Sequence, residues 1–232
     1  MQGWPAPLSD EDLTRINFSL RGLENIQAGH RLMPPRPPIT LQMLTALRLT
    51  LKIGRSFDAC IWAMALSAFW GMMRFGEVSV KSTNTFDGNL HLKRCDIYFD
   101  ADLDGNPYAR LDLPSAKTAK AGKRALRNLF QVVPAQANDP LFSWVDDKGN
   151  VHPMVKQTAI KFINGILTEW GWGTSSRHSF RIGGASYFLA QKVDPEIIHI
   201  ASQWKSLAYE TYIHAFKLSA SRHMSNIAER AL

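Results

Sequence analysis

Residues 175–214 read SSRHSFRIGGASYFLAQKVDPEIIHIASQWKSLAYETYIH, and this stretch concentrates the chemically active side chains of the chain. It contains two cations, an imidazole, an indole and a phenol, which belong to Arg177, Arg181, His178, Trp204 and Tyr212. Guanidinium groups bind phosphate oxygens bidentately, and a phenol that its surroundings activate can act as a nucleophile. The stretch therefore predicts a site that holds a phosphate and attacks it with an oxygen nucleophile.

The composition indicates a folded protein with a basic surface. Of the 232 residues, 45% are hydrophobic and 20% are charged, which is typical of a globular chain that can bury a core. This length fits one large domain, or one domain of ordinary size with an appendage. The formal net charge of +7 favours a polyanionic partner, of which nucleic acid is the commonest.

The cysteines and the apolar segments exclude several classes of protein. Cys60 and Cys95 show no CxxC pattern and no metal-ligand spacing, so we expect neither a disulfide framework nor a zinc site. Residues 1–13 lack the basic and apolar regions of a signal peptide. The longest uncharged run, residues 59–73, is too short for a bilayer span and predicts a buried helix instead. We therefore expect a soluble intracellular protein that does not contact a membrane.

The first 38 residues predict a separate segment. Ser9 followed by three acidic residues is a typical helix start, and apolar residues at helical spacing extend this helix from Ser9 to Gly29. Residues 30–38 contain four prolines within five positions, which predicts a stiff linker. We assign residues 1–38 to this helix and linker, and residues 39–232 to one further domain.

The central part of that domain predicts helices followed by a small sheet. Thr40 is expected to cap a helix that Gly54 ends, and Asp58 is expected to begin the buried helix. Alternating residues then predict three antiparallel strands around a lysine-rich loop, at Leu92–Phe99, Tyr108–Leu113 and Lys123–Val133. The acidic run at 100–105 resembles the start of a calcium loop but lacks the glutamate at its twelfth position, so a turn is expected.

The last third of the chain predicts helices again. Their expected ranges are 153–169, 178–192, 195–203 and 206–216, with a final helix that ends at Leu232. The predicted fold class is therefore mainly α with a small three-stranded antiparallel sheet.

A further cation follows the buried helix. Arg74 comes after a wholly apolar run, and Glu77 lies three residues later. One interpretation is an ordinary surface pair at the point where the chain emerges from the core. The other is that the buried helix holds Arg74 rigidly at the mouth of a site.

Five separate motifs, in this order along the chain, resemble those of the tyrosine recombinases, the phage-integrase and Cre-like family. The motifs are RFGE, PSAKT, RHSFRIGGAS, a tryptophan and a tyrosine, and the resemblance covers roughly residues 40–216. It implies the catalytic domain of that family, with residues 1–38 as the remnant of a core-binding domain. The implied catalytic residues are Arg74, Glu77, Lys117, His178, Arg181, Trp204 and Tyr212.

The resemblance also implies how these residues divide the chemistry. The two arginines and the indole N–H of Trp204 would hold the nonbridging phosphate oxygens, while Glu77 orients Arg74. His178 would accept the phenol proton of Tyr212, and Lys117 would protonate the departing 5′ oxygen. The product would be a 3′-phosphotyrosine that can be rejoined without ATP, metal or another cofactor.

Alternatives remain at two of these positions. The spacing from Trp204 to Tyr212 is one residue shorter than is usual in the family, so Tyr209 is a second candidate for the nucleophile. Three neighbouring cations compete with Lys117 for the leaving-group role. Together with two others they are candidates for DNA-backbone contacts: Lys120, Lys123, Arg124, Arg177 and Lys205.

The function that this resemblance implies is site-specific DNA cleavage and rejoining, in the setting of a mobile genetic element. The expected partners are double-stranded DNA and further copies of the chain, as a tetramer on two duplexes. The expected place is at DNA, in the nucleus of a eukaryote or the cytoplasm of a bacterium. The rival hypotheses are a recombinase derivative that binds DNA without cutting it, and a type IB topoisomerase-like enzyme.

Overall fold

A computed structural model describes residues 37–101, 103–105, 107–114, 119–121 and 123–202, which belong to one compact unit. The predicted helices at 9–29, at 206–216 and before Leu232 lie outside these residues. The boundary between residues 38 and 39 remains a prediction.

The domain begins with two helices, and the second is the centre of the core. Helix α1 spans Leu41–Thr50, and the Thr40 hydroxyl accepts a hydrogen bond from the Met43 amide at 3.2 Å, which confirms the predicted cap. Helix α2 spans Ser56–Trp70 and starts two residues before the predicted Asp58, which lies in its first turn. Almost every side chain of α2 after that turn is buried or half-buried, as expected for a wholly apolar helix.

A three-stranded antiparallel sheet follows, in the order β1, β2, β3. Its strands are Ile97–Ala101, Pro107–Leu111 and Ala119–Ala121, with Ile97 opposite Leu111 and Ala109 opposite Ala121. The predicted first strand was too long, because residues 94–96 form a 3₁₀ turn before β1 begins.

The predicted third strand at Lys123–Val133 is wrong. Residues Lys123–Val132 form helix α3, and the lysine-rich loop supplies strand β3 instead. The buried side chains in this segment are Ala125, Leu126, Leu129 and Val133. Their separations of one, three and four residues match a helical period of 3.6, not the period of two that a strand requires.

A two-stranded hairpin that the sequence did not predict comes next, with β4 at Ser143–Val145 and β5 at Val151–Pro153. Asp146 organises its turn, because its carboxylate accepts hydrogen bonds from the Asn150 amide and from His152 Nε2, both at 2.8 Å. Hydrogen bonds from the His152 and Asn150 side chains hold the pKa of the Asp146 carboxyl well below its usual range.

Three helices complete the described chain and confirm the predicted order. They are α4 at Lys156–Glu169, α5 at Ser179–Ala190 and α6 at Pro195–Ser202. Helix α2 packs against α3, α5 and strand β4, so the core surrounds it. Within the described ranges, no helix combines the length and apolar character needed to cross a membrane.

Candidate active site

The first half of the candidate site is the turn that follows α2. The helix ends at Trp70, and Met72 adopts a left-handed conformation with φ of 46°, which redirects the chain away from the helix axis. Met73 and Phe75 are buried on either side of Arg74, whose own side chain is about half exposed. Buried neighbours therefore anchor the turn, while the guanidinium projects from the core.

Glu77 fixes the direction of Arg74 through two separate contacts. Its Oε1 lies 3.0 Å from Arg74 Nη1, and its Oε2 accepts the Arg74 backbone N–H at 2.6 Å. The Glu77 amide in turn donates to the Arg74 carbonyl at 2.8 Å. One carboxylate thus binds both the backbone and the side chain of Arg74, which restricts the rotamers of that guanidinium.

The second half of the candidate site is the start of α5. His178 occupies the position before the first helical residue and is partly buried. Arg177 Nε donates to His178 Nε2 at 3.0 Å. Because an arginine N–H can only donate, Nε2 is the acceptor nitrogen and the ring proton is placed on Nδ1.

The segment before His178 is held by a side chain from α4. Asn164 Oδ1 accepts from the Ser175 amide at 2.7 Å and from its hydroxyl at 2.8 Å. Asn164 Nδ2 donates to the Ser175 carbonyl at 3.2 Å. This contact was not predicted, since a single asparagine in an amphipathic helix gives no sequence signal for it.

Arg181 lies in the first turn of α5 and is almost completely buried, with 4% of its surface exposed. Its Nη2 donates to the backbone carbonyl of Ser202, the last residue of α6. A cation at the C-terminal end of a helix is stabilised by the helix dipole, so α6 helps to hold this guanidinium in place.

Two kinds of contact join the halves. The ring of Phe75, next to Arg74, packs on the ring of Phe180, next to Arg181, with centroids 5.2 Å apart. A Cβ on Gly184 would lie 1.9 Å from the Phe69 carbonyl oxygen, so α5 approaches the end of α2 backbone to backbone. These contacts fix the spacing between the Arg74 turn and the helix that carries Arg181.

The charges of the assembled residues act on the imidazole. Burial lowers the pKa of His178 below its usual value near 6.5, and the positive charges of Arg177, Arg181 and Arg74 lower it further. His178 is therefore neutral at physiological pH and able to accept a proton. The arrangement provides positive charge for an anion and a neutral base beside it.

The structure thus places Arg74, Glu77, His178 and Arg181 in one region. Arg177 and Arg124 are exposed, Lys120 lies on β3, and Lys123 is the first residue of α3. The other predicted site residues lie outside the described part of the chain: Lys117, Trp204, Lys205, Tyr209 and Tyr212. No group of three histidine, cysteine or acidic side chains within the described ranges could hold a metal ion.

Comparison with solved structures identifies the fold. A crystal structure of XerA recombinase aligns with 83% of this chain and 65% of its own, with a TM-score of 0.54 and 17% identity. A structure of the XerH site-specific recombinase bound to its difH substrate aligns with 81% of this chain and 53% of its own, with a TM-score of 0.54 and 16% identity. The chain has the fold of the tyrosine recombinases.

This tyrosine recombinase fold is recognised by comparison of structures and not by comparison of sequences. No protein-family profile and no curated protein matches the chain. The chain spans less than two thirds of the length of XerA and about half that of XerH. The predicted fold class is confirmed, with the β4–β5 hairpin as an addition to it.

Proposed function

We propose that this protein cleaves and rejoins DNA at specific sites through a 3′-phosphotyrosine intermediate. The observation that carries the proposal is the convergence of Arg74 and Arg181 on a partly buried imidazole, His178, whose pKa is lowered first by burial and then by the nearby cations. The recombinase fold supports the proposal. The two guanidiniums and the imidazole also stand in sequence motifs that resemble that family.

The proposed reaction begins with a DNA phosphodiester between Arg74 and Arg181. The Tyr212 oxygen attacks phosphorus while its proton passes to His178, and the bond to the 5′ oxygen breaks. Lys117 gives that oxygen a proton, which leaves a 3′-phosphotyrosine and a free 5′ hydroxyl. Two guanidiniums and the Trp204 N–H stabilise the charge that develops on the nonbridging oxygens. Attack by a 5′ hydroxyl in the reverse direction restores the phosphodiester.

The geometry of the described residues suits these roles. Glu77 holds Arg74 through its backbone and its guanidinium, so the cation is oriented before DNA binds. The lowered pKa of His178 keeps the imidazole neutral, which a proton acceptor requires. Trp204 follows Ser202, whose carbonyl Arg181 contacts, by two positions in the sequence.

DNA binding would rest mainly on contacts to phosphates. We assign these contacts to Lys120, Lys123, Arg124, Arg177 and Lys205, of which Arg124 and Arg177 are exposed in the structure. Five such contacts predict that log affinity falls with log salt concentration with a slope of about −4.5. Each charge removed should reduce the steepness by about 0.9. We further propose that the working unit is a tetramer on two duplexes, acting at the DNA of a mobile genetic element.

The test is the formation of a covalent protein–DNA adduct. The protein is incubated with nicked suicide duplexes, made from the DNA that flanks its coding sequence and from a randomised pool, and denaturing gels are searched for a shifted band. Wild type should give the band, and Tyr212→Phe should not. Tyr209→Phe serves as the matched control, because it removes the same hydroxyl three positions away.

Each other outcome changes a specific part of the proposal. An adduct with Tyr212→Phe but not with Tyr209→Phe would move the nucleophile to Tyr209. Duplex binding without an adduct on any substrate would overturn the enzymatic function in favour of a DNA-binding derivative. Relaxation of supercoiled DNA without regard to sequence would favour a topoisomerase-like enzyme over a site-specific recombinase.

A further inference from the structure

The contact between Asn164 and Ser175 satisfies a buried piece of backbone that has no regular secondary structure. Ser175 is 2% exposed and lies between α4 and α5, outside either helix. A buried N–H or C=O group without a partner costs about 1–3 kcal/mol, so such groups are almost always paired. The Asn164 amide pairs both groups of Ser175, with Oδ1 on the N–H and Nδ2 on the carbonyl.

The loop that this contact holds needs an external anchor. Between the end of α4 and Ser175, Gly171 and Gly173 both adopt positive φ values, of 77° and 75°. Backbone hydrogen bonds from the Gly171 and Trp172 amides to carbonyls of the last turn of α4, at 2.9 and 2.8 Å, fix the start of this loop. An external anchor is therefore needed only for its far end, near Ser175. Asn164 therefore anchors the loop at the point where it enters the candidate site.

Short hydrogen bonds transmit the position of Ser175 to His178. The Ser176 amide donates to the Ser179 hydroxyl at 2.8 Å, and the His178 amide donates to the Ser176 hydroxyl at 3.3 Å. The Ser179 amide also donates to the Ser176 carbonyl at 3.1 Å. Two residues lie between Ser175 and His178, and the first of them, Ser176, is bonded to both His178 and Ser179.

We propose that Asn164 is a positioning residue for His178, acting through Ser175 and the first turn of α5. This inference rests on the proposed function for its effect on DNA cleavage. Its effect on the placement and solvation of the imidazole does not depend on that function. Since burial is the largest cause of the lowered His178 pKa, release of the loop should admit water and return that pKa towards 6.5.

The test compares Asn164→Ala with a matched variant, Asn128→Ala. Asn128 Nδ2 donates to the Ile53 carbonyl at 3.0 Å, so it is also a half-buried asparagine that holds a backbone carbonyl, on α3. A third variant, Asn164→Asp, retains oxygens that can accept from the Ser175 N–H and hydroxyl, but it replaces the donor to the Ser175 carbonyl with a negatively charged oxygen. Comparison of the three separates loss of the clamp from a general loss of stability.

Three measurements are made on the full chain. The first is hydrogen–deuterium exchange of a peptide that covers residues 174–180, the second is the His178 pKa by NMR titration, and the third is the single-turnover rate of adduct formation. Asn164→Ala should speed exchange in this peptide, raise the His178 pKa and slow the adduct step on the order of 10- to 100-fold. Duplex affinity should change by no more than about twofold, since the phosphate-binding cations are intact. Asn164→Asp should speed exchange less than Asn164→Ala does, because two of the three hydrogen bonds to Ser175 remain, and Asn128→Ala should give none of these changes.

The outcomes distinguish this inference from the proposed function. If wild type forms no adduct, the proposed function fails, and exchange and the His178 pKa still decide the role of Asn164. If Asn164→Ala leaves both at the wild-type values, or alters them no more than Asn128→Ala does, the inference is overturned. If Asn164→Ala changes hydrogen exchange and the His178 pKa but leaves the adduct rate unchanged, the catalytic part of the inference is overturned.

Discussion

The close approach between α5 and α2 at Gly184 leads to a quantitative prediction for Gly184→Ala. The added Cβ would lie 1.9 Å from the Phe69 carbonyl oxygen, whereas ordinary contact begins at 3.4 Å. A methyl group attached to the backbone cannot rotate away, so the two helices must separate by about 1.5 Å or distort locally. The same displacement would move Arg181 relative to the Arg74 turn.

The expected energy is the difference between two opposing effects. Alanine in place of glycine inside a helix stabilises by roughly 0.5–1 kcal/mol, and overpacking a core costs about 1–3 kcal/mol. We expect Gly184→Ala to destabilise the protein by a net value of about 1–2 kcal/mol. A displacement on the order of 1 Å in a catalytic site lowers the rate roughly 100-fold, so the adduct rate should fall more than stability alone explains.

Gly165→Ala is the matched control, because it is the same substitution inside α4 at a position with nothing within 4 Å of the new Cβ. It should stabilise by roughly 0.5–1 kcal/mol and leave the adduct rate unchanged. Urea denaturation measures the stabilities, and suicide-duplex assays well below the unfolding midpoint measure the rates. If Gly184→Ala matches Gly165→Ala in both measurements, the packing of α5 against α2 does not constrain the site as described.

Three further predictions concern single groups. Because the His178 pKa lies below 6.5, adduct formation at subsaturating DNA should decline towards acid pH with a midpoint below 6.5, and a decline centred above 6.5 would contradict this. Glu77→Gln keeps one oxygen and should slow adduct formation on the order of 10-fold, because Arg74 is held less firmly. The free energy of unfolding in urea should fall by less than about 1 kcal/mol, since the pair is partly exposed. An unchanged rate would show that Arg74 does not need the Glu77 carboxylate. A thiol reagent should modify the exposed Cys95 rapidly. It should reach Cys60 only after unfolding, because this side chain is buried and burial raises the pKa of its thiol. Two rapidly modified thiols in the native protein would refute the described core.

Local signals in the sequence were sufficient for most of the fold. Thr40 before an apolar helix, and the uninterrupted apolar run after Asp58, are signals that depend on neighbours within one or two turns. Both helices form, although the first ends at Thr50 and not at the predicted Gly54. The strand predicted at Lys123–Val133 is wrong because the apolar residues of this stretch repeat at helical spacing. The hairpin at Val145 and Val151 was missed because three-residue strands are too short for periodicity to identify.

The candidate site was predictable in its residue types but not in its supports. Arg74, His178 and Arg181 stand in motifs that resemble a known family, so the motifs alone are enough to propose their roles. The contacts that hold them in place are made between distant parts of the chain. Neither the Phe69 carbonyl facing Gly184 nor the Asn164 amide facing Ser175 leaves a pattern in one sequence, because both depend on how helices pack.

The contact between Phe75 and Phe180 has a consequence for how the molecule folds. The two rings are 105 positions apart in the chain, so their meeting closes a long loop at a large entropic cost. We predict that a contact with this closure cost forms after the folding transition state, so Phe180→Leu should speed unfolding in stopped-flow experiments and leave the folding rate nearly unchanged. A slower folding rate would instead place this contact in the folding nucleus. If this contact forms late, the Arg74 turn and the Arg181 helix are still apart in a partly folded chain. The candidate site then exists only in the completely folded domain.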